Sequence, residues 1–415
     1  VKRSKKKELT PLERTQQVLD ISATERATFK LCRRKWELEV LNNLTPKTPP
    51  TFTYEFGTGI HRALEVYYSH VSNIPVYADQ EKAYARPLKG ALSEWDTWYA
   101  ETETALDSDK TLDSTTRELV GDNLVALGDL GETMLKNYDL FSAQEDDFTV
   151  HAIEGLIMPA GKSWLKKHLE DREFVSKVAA NGVTYYAPAR RLLIPIIDPR
   201  TNTPMNGPVL SVRIDLLVHR VDPGMKGLWV YDHKTTDRQP SDRGLDFDDQ
   251  VTAYCYAVYR WLGIIPRGFC VNYLLKQEPK EPRILSKGEL STAKDQLTTA
   301  EQYEEVMVKQ GLQKSPKHIE CLEALQSHGW DRFFVRHYVG RNKYELQNFE
   351  RRLFEEWQDM LDCAEGGLEL YPNMSKMHCP QCRVAPICQA IEDGSDWQAV
   401  MDTRYMQQPD RKASY

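Results

Sequence analysis

Apolar positions along this chain change their spacing twice, and each change marks a different kind of element. Ser22 is a helix-capping residue type, and after it Phe29, Leu31, Trp36, Leu38 and Leu41 recur at helical spacing, which predicts a helix within 21–44. TPKTPP at 45–50 stops it, because proline cannot continue the helical bonding. Residues 57–71 predict another helix, with Ile60, Leu64 and Tyr67 or Tyr68 on one face. Trp95, Trp98, Leu119, Leu127, Leu130 and Met134 carry helical spacing across 80–141.

The middle of the chain reads differently. FTVHAIEGLIM at 148–158 is a strand, and 162–180 an inserted helix. Apolar, β-branched stretches at 190–197, 208–221 and 227–236, separated by turn residues, predict a strand meander. Residues 247–262 form an amphipathic helix and 267–276 another strand. Helices over 288–311 and 342–366, with a strand at 332–339, complete a mixed α/β core with helical flanks.

Composition narrows the class without changing that picture. The 415 residues are 41% hydrophobic and 28% charged, which excludes disordered, collagen-like and disulfide-scaffold chains. No run of about 18 apolar residues predicts a spanning helix. The opening VKRSKKKELTPLER has no apolar segment behind it, so no secretory signal is read and a cytoplasmic location is expected. The net charge of −7 removes a whole-chain basic footprint, though a basic groove can sit on an acidic body.

Two acids stand in the strand block. Asp215 interrupts the apolar VRIDLLV, and Asp232 follows WVY and precedes His233 and Lys234. A carboxylate buried in a strand is costly unless it is paired or holds a cation. Asp232 and Lys234 are two apart, so they share a strand face, and Asp215 can meet them from a neighbouring strand. Two carboxylates suit Mg²⁺ or Mn²⁺, and a lysine beside the ion can orient or deprotonate water. An isolated Asp-x-Lys is more often a surface ion pair. Further pieces stand in order around it: Gln250 and Tyr254 at i and i+4 on the next helix, and upstream Gly57, His61 and Glu65 at successive turns.

Together, GTGIH at 57–61, RID at 213–215, DHK at 232–234 and QVTAY at 250–254 resemble the RecB-type branch of the PD-(D/E)xK nuclease superfamily. The resemblance implies a restriction-endonuclease-like core, a mixed sheet flanked by helices, with helical insertions. It implies that His61, Asp215, Asp232 and the carbonyl of His233 ligate Mg²⁺ or Mn²⁺, that Lys234 is catalytic, and that Gln250 and Tyr254 position DNA or the lysine. Glu154 would correspond to an early acidic residue of some relatives, although a strand-edge salt bridge is its plainer reading.

Eight cysteines remain, and HCPQCRVAPIC places Cys379, Cys382 and Cys388 at C-x2-C-x5-C spacing. Reduced, clustered thiols point to metal before disulfides. Cys32 is the candidate fourth ligand. Spacing alone leaves zinc, with His378 as a further ligand, against an iron–sulfur cluster. Resemblance to the iron–sulfur exonucleases of the same superfamily, which carry one cysteine before the nuclease motifs and this triplet after them, implies a terminal 4Fe–4S domain. Cys255 and Cys270 read as core, Cys321 and Cys363 as incidental.

The expected organisation is a basic flexible tail (1–20), a helical region (21–145), a nuclease core (146–290), a second helical region (291–370), a cysteine loop (371–392) and a terminal tail (393–415). GLIMPAGKS at 155–163 has five residues between its glycines where a phosphate-cradling loop needs four, so no motor is read and any helicase would be a separate polypeptide. The expected function is a metal-dependent DNA exonuclease acting on single strands or DNA ends in recombination, repair or phage- or CRISPR-linked end processing. The alternative is a non-catalytic DNA-binding or assembly module with the same fold.

Overall fold

A computed structural model describes residues 11–47, 52–72, 87–109, 112–153, 158–159, 175–178, 184–187 and 192–407. The chain is ordered earlier than its composition suggests. Helix α1 (Pro11–Gln17) starts on proline, whose missing N–H costs nothing there. Val18 and Ile21 are buried, and the Trp357 indole donates to the Val18 carbonyl at 3.1 Å. Residues 11–20 are therefore packed, not tail.

Strand β1 (Asp20–Ser22) leads into α2 (Ala23–Leu31), where Ser22 and Glu25 form a reciprocal cap. The helix expected through residue 44 does not run on. Cys32 is extended, and its sulfur accepts the Lys35 N–H at 3.4 Å, capping a new short helix Arg33–Trp36 that passes into a π-turn, Glu37–Leu41.

Three long helices follow: α3 (Thr53–Ser72), α4 (Pro87–Ser108) and α5 (Ser114–Glu145). Their close approach depends on small residues. A Cβ on Gly131 would stand 2.0 Å from the Trp95 ring, and one on Gly59 2.5 Å from Trp98. Gly131→Ala should therefore destabilise the fold by about 1–3 kcal/mol, read as a lower denaturant midpoint; an unchanged midpoint would mean that Trp95 has room to move.

The strands are β2 (Phe148–Ile153), β3 (Leu192–Asp198), β4 (Thr203–Val212), β5 (Leu216–Arg220) and β6 (Gly227–Thr236). Helix α6 (Asp249–Leu262), strands β7 (Gly268–Leu275) and β8 (Phe334–Gly340) and helix α7 (Lys343–Glu365) complete the core. The main sheet has the order β8-β7-β6-β5-β2, and within it β6 and β7 are parallel, joined by the α6 crossover. A smaller sheet has the order β1-β4-β3. Helices α3, α4 and α5 cover one face of the main sheet, burying Tyr138, Val218, Trp229 and Tyr231. Helices α6 and α7 cover the other, burying Val230, Phe269, Tyr256 and Phe349. Mixed sheets flanked by helices match the expected class.

Several boundaries differ. The strand expected over 208–221 splits at 213–215, and Asp215 occupies the bend. Within 288–311 the helix is Ala300–Lys309, opened by a Thr299–Gln302 capping box, and a further helix, Pro316–His328, follows it. Strand β8 belongs to the main sheet, so the core extends past residue 290. In the stretch 162–180, residues 175–178 form a strand paired with Thr184–Ala187. Near the C-terminus, Tyr405–Gln407 pairs with Leu44–Pro46, so the chain is packed to residue 407 rather than trailing from 393. Glu154 and most of the 155–163 stretch lie outside the described residues. No described helix is long and apolar enough to cross a membrane.

Candidate active site

Strand β6 is buried through His233 and opens at Lys234. Tyr231 pairs with Leu216 across the β5–β6 ladder, so Asp232 and Asp215 fall at the next step, where β5 has ended and the bend frees the Asp215 carboxylate to turn. Gly57 lets α3 lie against the end of β6: a Cβ there would stand 3.3 Å from Thr235 Oγ1. One turn on, His61 Nδ1 reaches Asp215 Oδ2 at 3.2 Å. The same oxygen accepts the His233 backbone N–H at 2.6 Å. Lys234 Nζ lies 2.7 Å from Asp232 Oδ2. On α6, Gln250 Nε2 donates to the Tyr254 hydroxyl at 3.1 Å, and that ring lies in the field of Asp232 and Lys234. The structure thus brings together His61, Asp215, Asp232, His233, Lys234, Gln250 and Tyr254, which are scattered over nearly two hundred positions of sequence.

The two carboxylates have opposite electrostatics. Burial would raise the Asp215 carboxyl, but the charge and hydrogen bond of His61 outweigh it and hold it well below the usual range. His61 is raised to about 9: burial opposes its charge, and Asp215 overcomes that. Asp232 is raised, by burial and by repulsion from Asp215, against the pull of Lys234. Lys234 is itself held protonated, because Asp232 outweighs its desolvation.

Behind the site lies a polar network that the sequence reading missed. His233 Nδ1 meets Asn272 Nδ2 at 2.8 Å, and Asn272 also donates to the Tyr138 hydroxyl at 2.8 Å. Tyr138 meets the Tyr68 hydroxyl at 2.7 Å, Tyr68 donates to Asp146 at 2.9 Å, and Arg336 Nε donates to Asn272 Oδ1 at 3.2 Å. Tyr68 stacks on the His233 ring at 5.9 Å. Burial drives His233 down to about 3, so it stays neutral. The one sequence signal was Asn272 itself, an amide inside the apolar GFCVNYLL.

Helix α2 is braced against α6 by ion pairs. Arg26, 1% exposed, lies 3.1 Å from Asp249 and bonds Glu356 of α7 through Nε at 2.8 Å. Lys30 also grips Asp249, and Arg352 approaches it at 3.3 Å. Asp249 immediately precedes Gln250.

Cys32, Cys379, Cys382 and Cys388 line one cavity of about 1080 Å³. Cys32 Sγ accepts backbone N–H groups from Lys35 at 3.4 Å and Asn373 at 3.3 Å, and Cys379 Sγ accepts that of Ser375 at 3.2 Å. Burial raises the Cys382 and Cys388 thiols. His378 is exposed and does not line the cavity. Cys255, Cys270, Cys321 and Cys363 are all buried, so the last two are core as well. Among the described residues, no three His, Cys, Asp or Glu side chains close on one point as a ready-made ion cage, at the thiols or at the carboxylates. At the latter, each acid is drawn instead onto its nearest side-chain cation.

A family model for the PD-(D/E)XK nuclease superfamily matches residues 20–389. The chain belongs to this superfamily. The match runs from β1 past the last cavity cysteine and includes every residue of the carboxylate–lysine site. No curated protein matches the chain. Membership in this superfamily makes nuclease chemistry the activity that the site must explain.

Proposed function

We propose that the protein is a metal-dependent DNA exonuclease, and that the convergence of His61, Asp215, Asp232 and Lys234 at one end of the main sheet is its catalytic centre. That convergence carries the reading. Two buried carboxylates, an imidazole and the His233 carbonyl would supply donor types suited to Mg²⁺ or Mn²⁺. Held there, such an ion would supply polarisation of the scissile phosphate and a lowered pKa for bound water. The rest falls to the chain. Asp215 is fixed by His233 N–H and His61, so its oxygens are pre-aimed. Lys234, 2.7 Å from Asp232, is placed to orient or deprotonate water and to stabilise negative charge on the phosphate. Gln250 and Tyr254 support the lysine and the incoming strand from α6.

The cysteine cavity is proposed to hold a 4Fe–4S cluster on Cys32, Cys379, Cys382 and Cys388. Four thiols lining one cavity, with backbone N–H donors on two of the sulfurs, suit a thiolate-bound metal centre, and the order of one cysteine before the nuclease motifs and three after them favours the cluster over zinc. Its role here is structural, tying residue 32 to residue 379. Recombination, repair or phage-linked end processing is the setting this reading implies, with any helicase on a separate chain.

End-labelled single- and double-stranded DNA and a covalently closed circle test the function in one assay. Linear substrates should shorten with Mg²⁺ or Mn²⁺, EDTA should stop the reaction, and the circle should survive. Cutting of the circle would overturn the exonuclease reading. Binding with no cleavage in either ion would favour the non-catalytic assembly module.

A further inference from the structure

The open end of the carboxylate face does not stop at β6. In the parallel ladder, Asp232 pairs with Val271 and Lys234 with Tyr273; in the next ladder, Val271 pairs with His337. Paired residues share a face, so Tyr273 and His337 lie on the side of the sheet that carries Asp232 and Lys234. The row one step between, His233–Asn272–Arg336, points to the opposite face and is consumed by the polar network. Tyr273 is the one residue of β7 that is not buried, and its phenol lies in the field of Lys234 and Asp232. His337 meets the Tyr273 ring edge to face at 5.6 Å and is itself part-exposed.

One nitrogen of the His337 ring is enclosed by its surroundings. Among the described residues, Nδ1 is buried and has no hydrogen-bond partner. With Nδ1 enclosed, Nε2 is the ring nitrogen left to carry an N–H toward a ligand. The ring then presents a donor, two strand spacings or roughly 10 Å from Asp232.

We propose that Tyr273 and His337 form a substrate shelf: Tyr273 packs against the sugar or base next to the scissile phosphate, and His337 Nε2–H donates to a neighbouring backbone phosphate. The shelf rests on the nuclease reading and adds a positioning role to it. It does not touch the reacting atoms, so its loss falls on substrate binding rather than on the chemical step.

The test uses the full chain and a 5′-fluorescein-labelled oligothymidylate in Mg²⁺. His337→Ala should raise KM about tenfold with kcat within about twofold. His337→Gln, which restores an N–H near the Nε2 position, should recover most of that loss. Tyr273→Leu should raise KM and Tyr273→Phe should not. Circular dichroism and the melting midpoint of each variant separate a binding loss from misfolding, and the Gln and Phe variants keep the outcome readable if the others fold poorly. Unchanged KM in both His337→Ala and Tyr273→Leu overturns the shelf. An equal fall in kcat with KM unmoved overturns it as well. An intact response to Lys234→Ala alongside either result confines the failure to the shelf, whereas full activity in Lys234→Ala sinks the underlying nuclease centre.

Discussion

Lys234→Ala should lower DNA cleavage by about 10²–10⁴-fold while leaving DNA affinity nearly unchanged. The effect is large because the Lys234 ammonium pairs with Asp232 at 2.7 Å, at the centre of the site. Without it, two buried acids face each other with His61 alone to compensate, and no donor remains for the developing charge on the phosphate. Binding survives because an extended strand is gripped at many phosphates, each worth a fraction of the total. Single-turnover cleavage beside fluorescence anisotropy separates the two quantities. Wild-type turnover in the variant would remove Lys234 from the chemistry and leave the convergence of acids unexplained.

Cys382→Ser should abolish the bound iron and acid-labile sulfide of anaerobically purified protein and lower its melting midpoint by roughly 10 °C. A cofactor held a thousandfold above its dissociation constant contributes about 4 kcal/mol, and a large domain shifts by about 2–4 °C per kcal/mol. The thiol cavity lies where segments from early and late in the sequence meet, next to the short Leu44–Pro46 and Tyr405–Gln407 pairing. Losing a ligand should therefore loosen both segments together. Zinc in the wild-type protein, with no iron and no sulfide, would replace the cluster by a mononuclear site; a metal-free wild type with an unmoved midpoint in the variant would dispose of both.

The site was legible in the sequence because its chemistry is written in residue types that the surrounding pattern does not want. An acid in VRIDLLV and another after WVY are expensive in strands, and such expense points to pairing. What sequence could not supply is where a strand breaks. Apolar residues stand on both sides of Asp215 through 208–221 and predict one strand, yet the chain bends there, and that bend lets one carboxylate oxygen accept from both His61 and His233. Nor does local pattern reveal β8: its pairing with β7 joins residues some sixty positions apart, beyond the range of any periodicity. The polar network through Asn272 and Arg336 was hidden for the same reason, since it exists only once three strands stand side by side. The Cys32 break in the first long helix was invisible because its causes are a sulfur-capped turn and contacts from residue 373.

The brace of Arg26 and Lys30 on Asp249 has a practical corollary. It hooks helix α2 onto the residue beside Gln250, and Glu356 anchors the same hook from helix α7, late in the sequence. The smallest unit able to cut is therefore not the motif-bearing stretch from Gly57 to Tyr254. Trimming to that stretch would strip the wedge from behind its own working helix, and an excised fragment would keep every signature residue yet lose the scaffold that holds them in place.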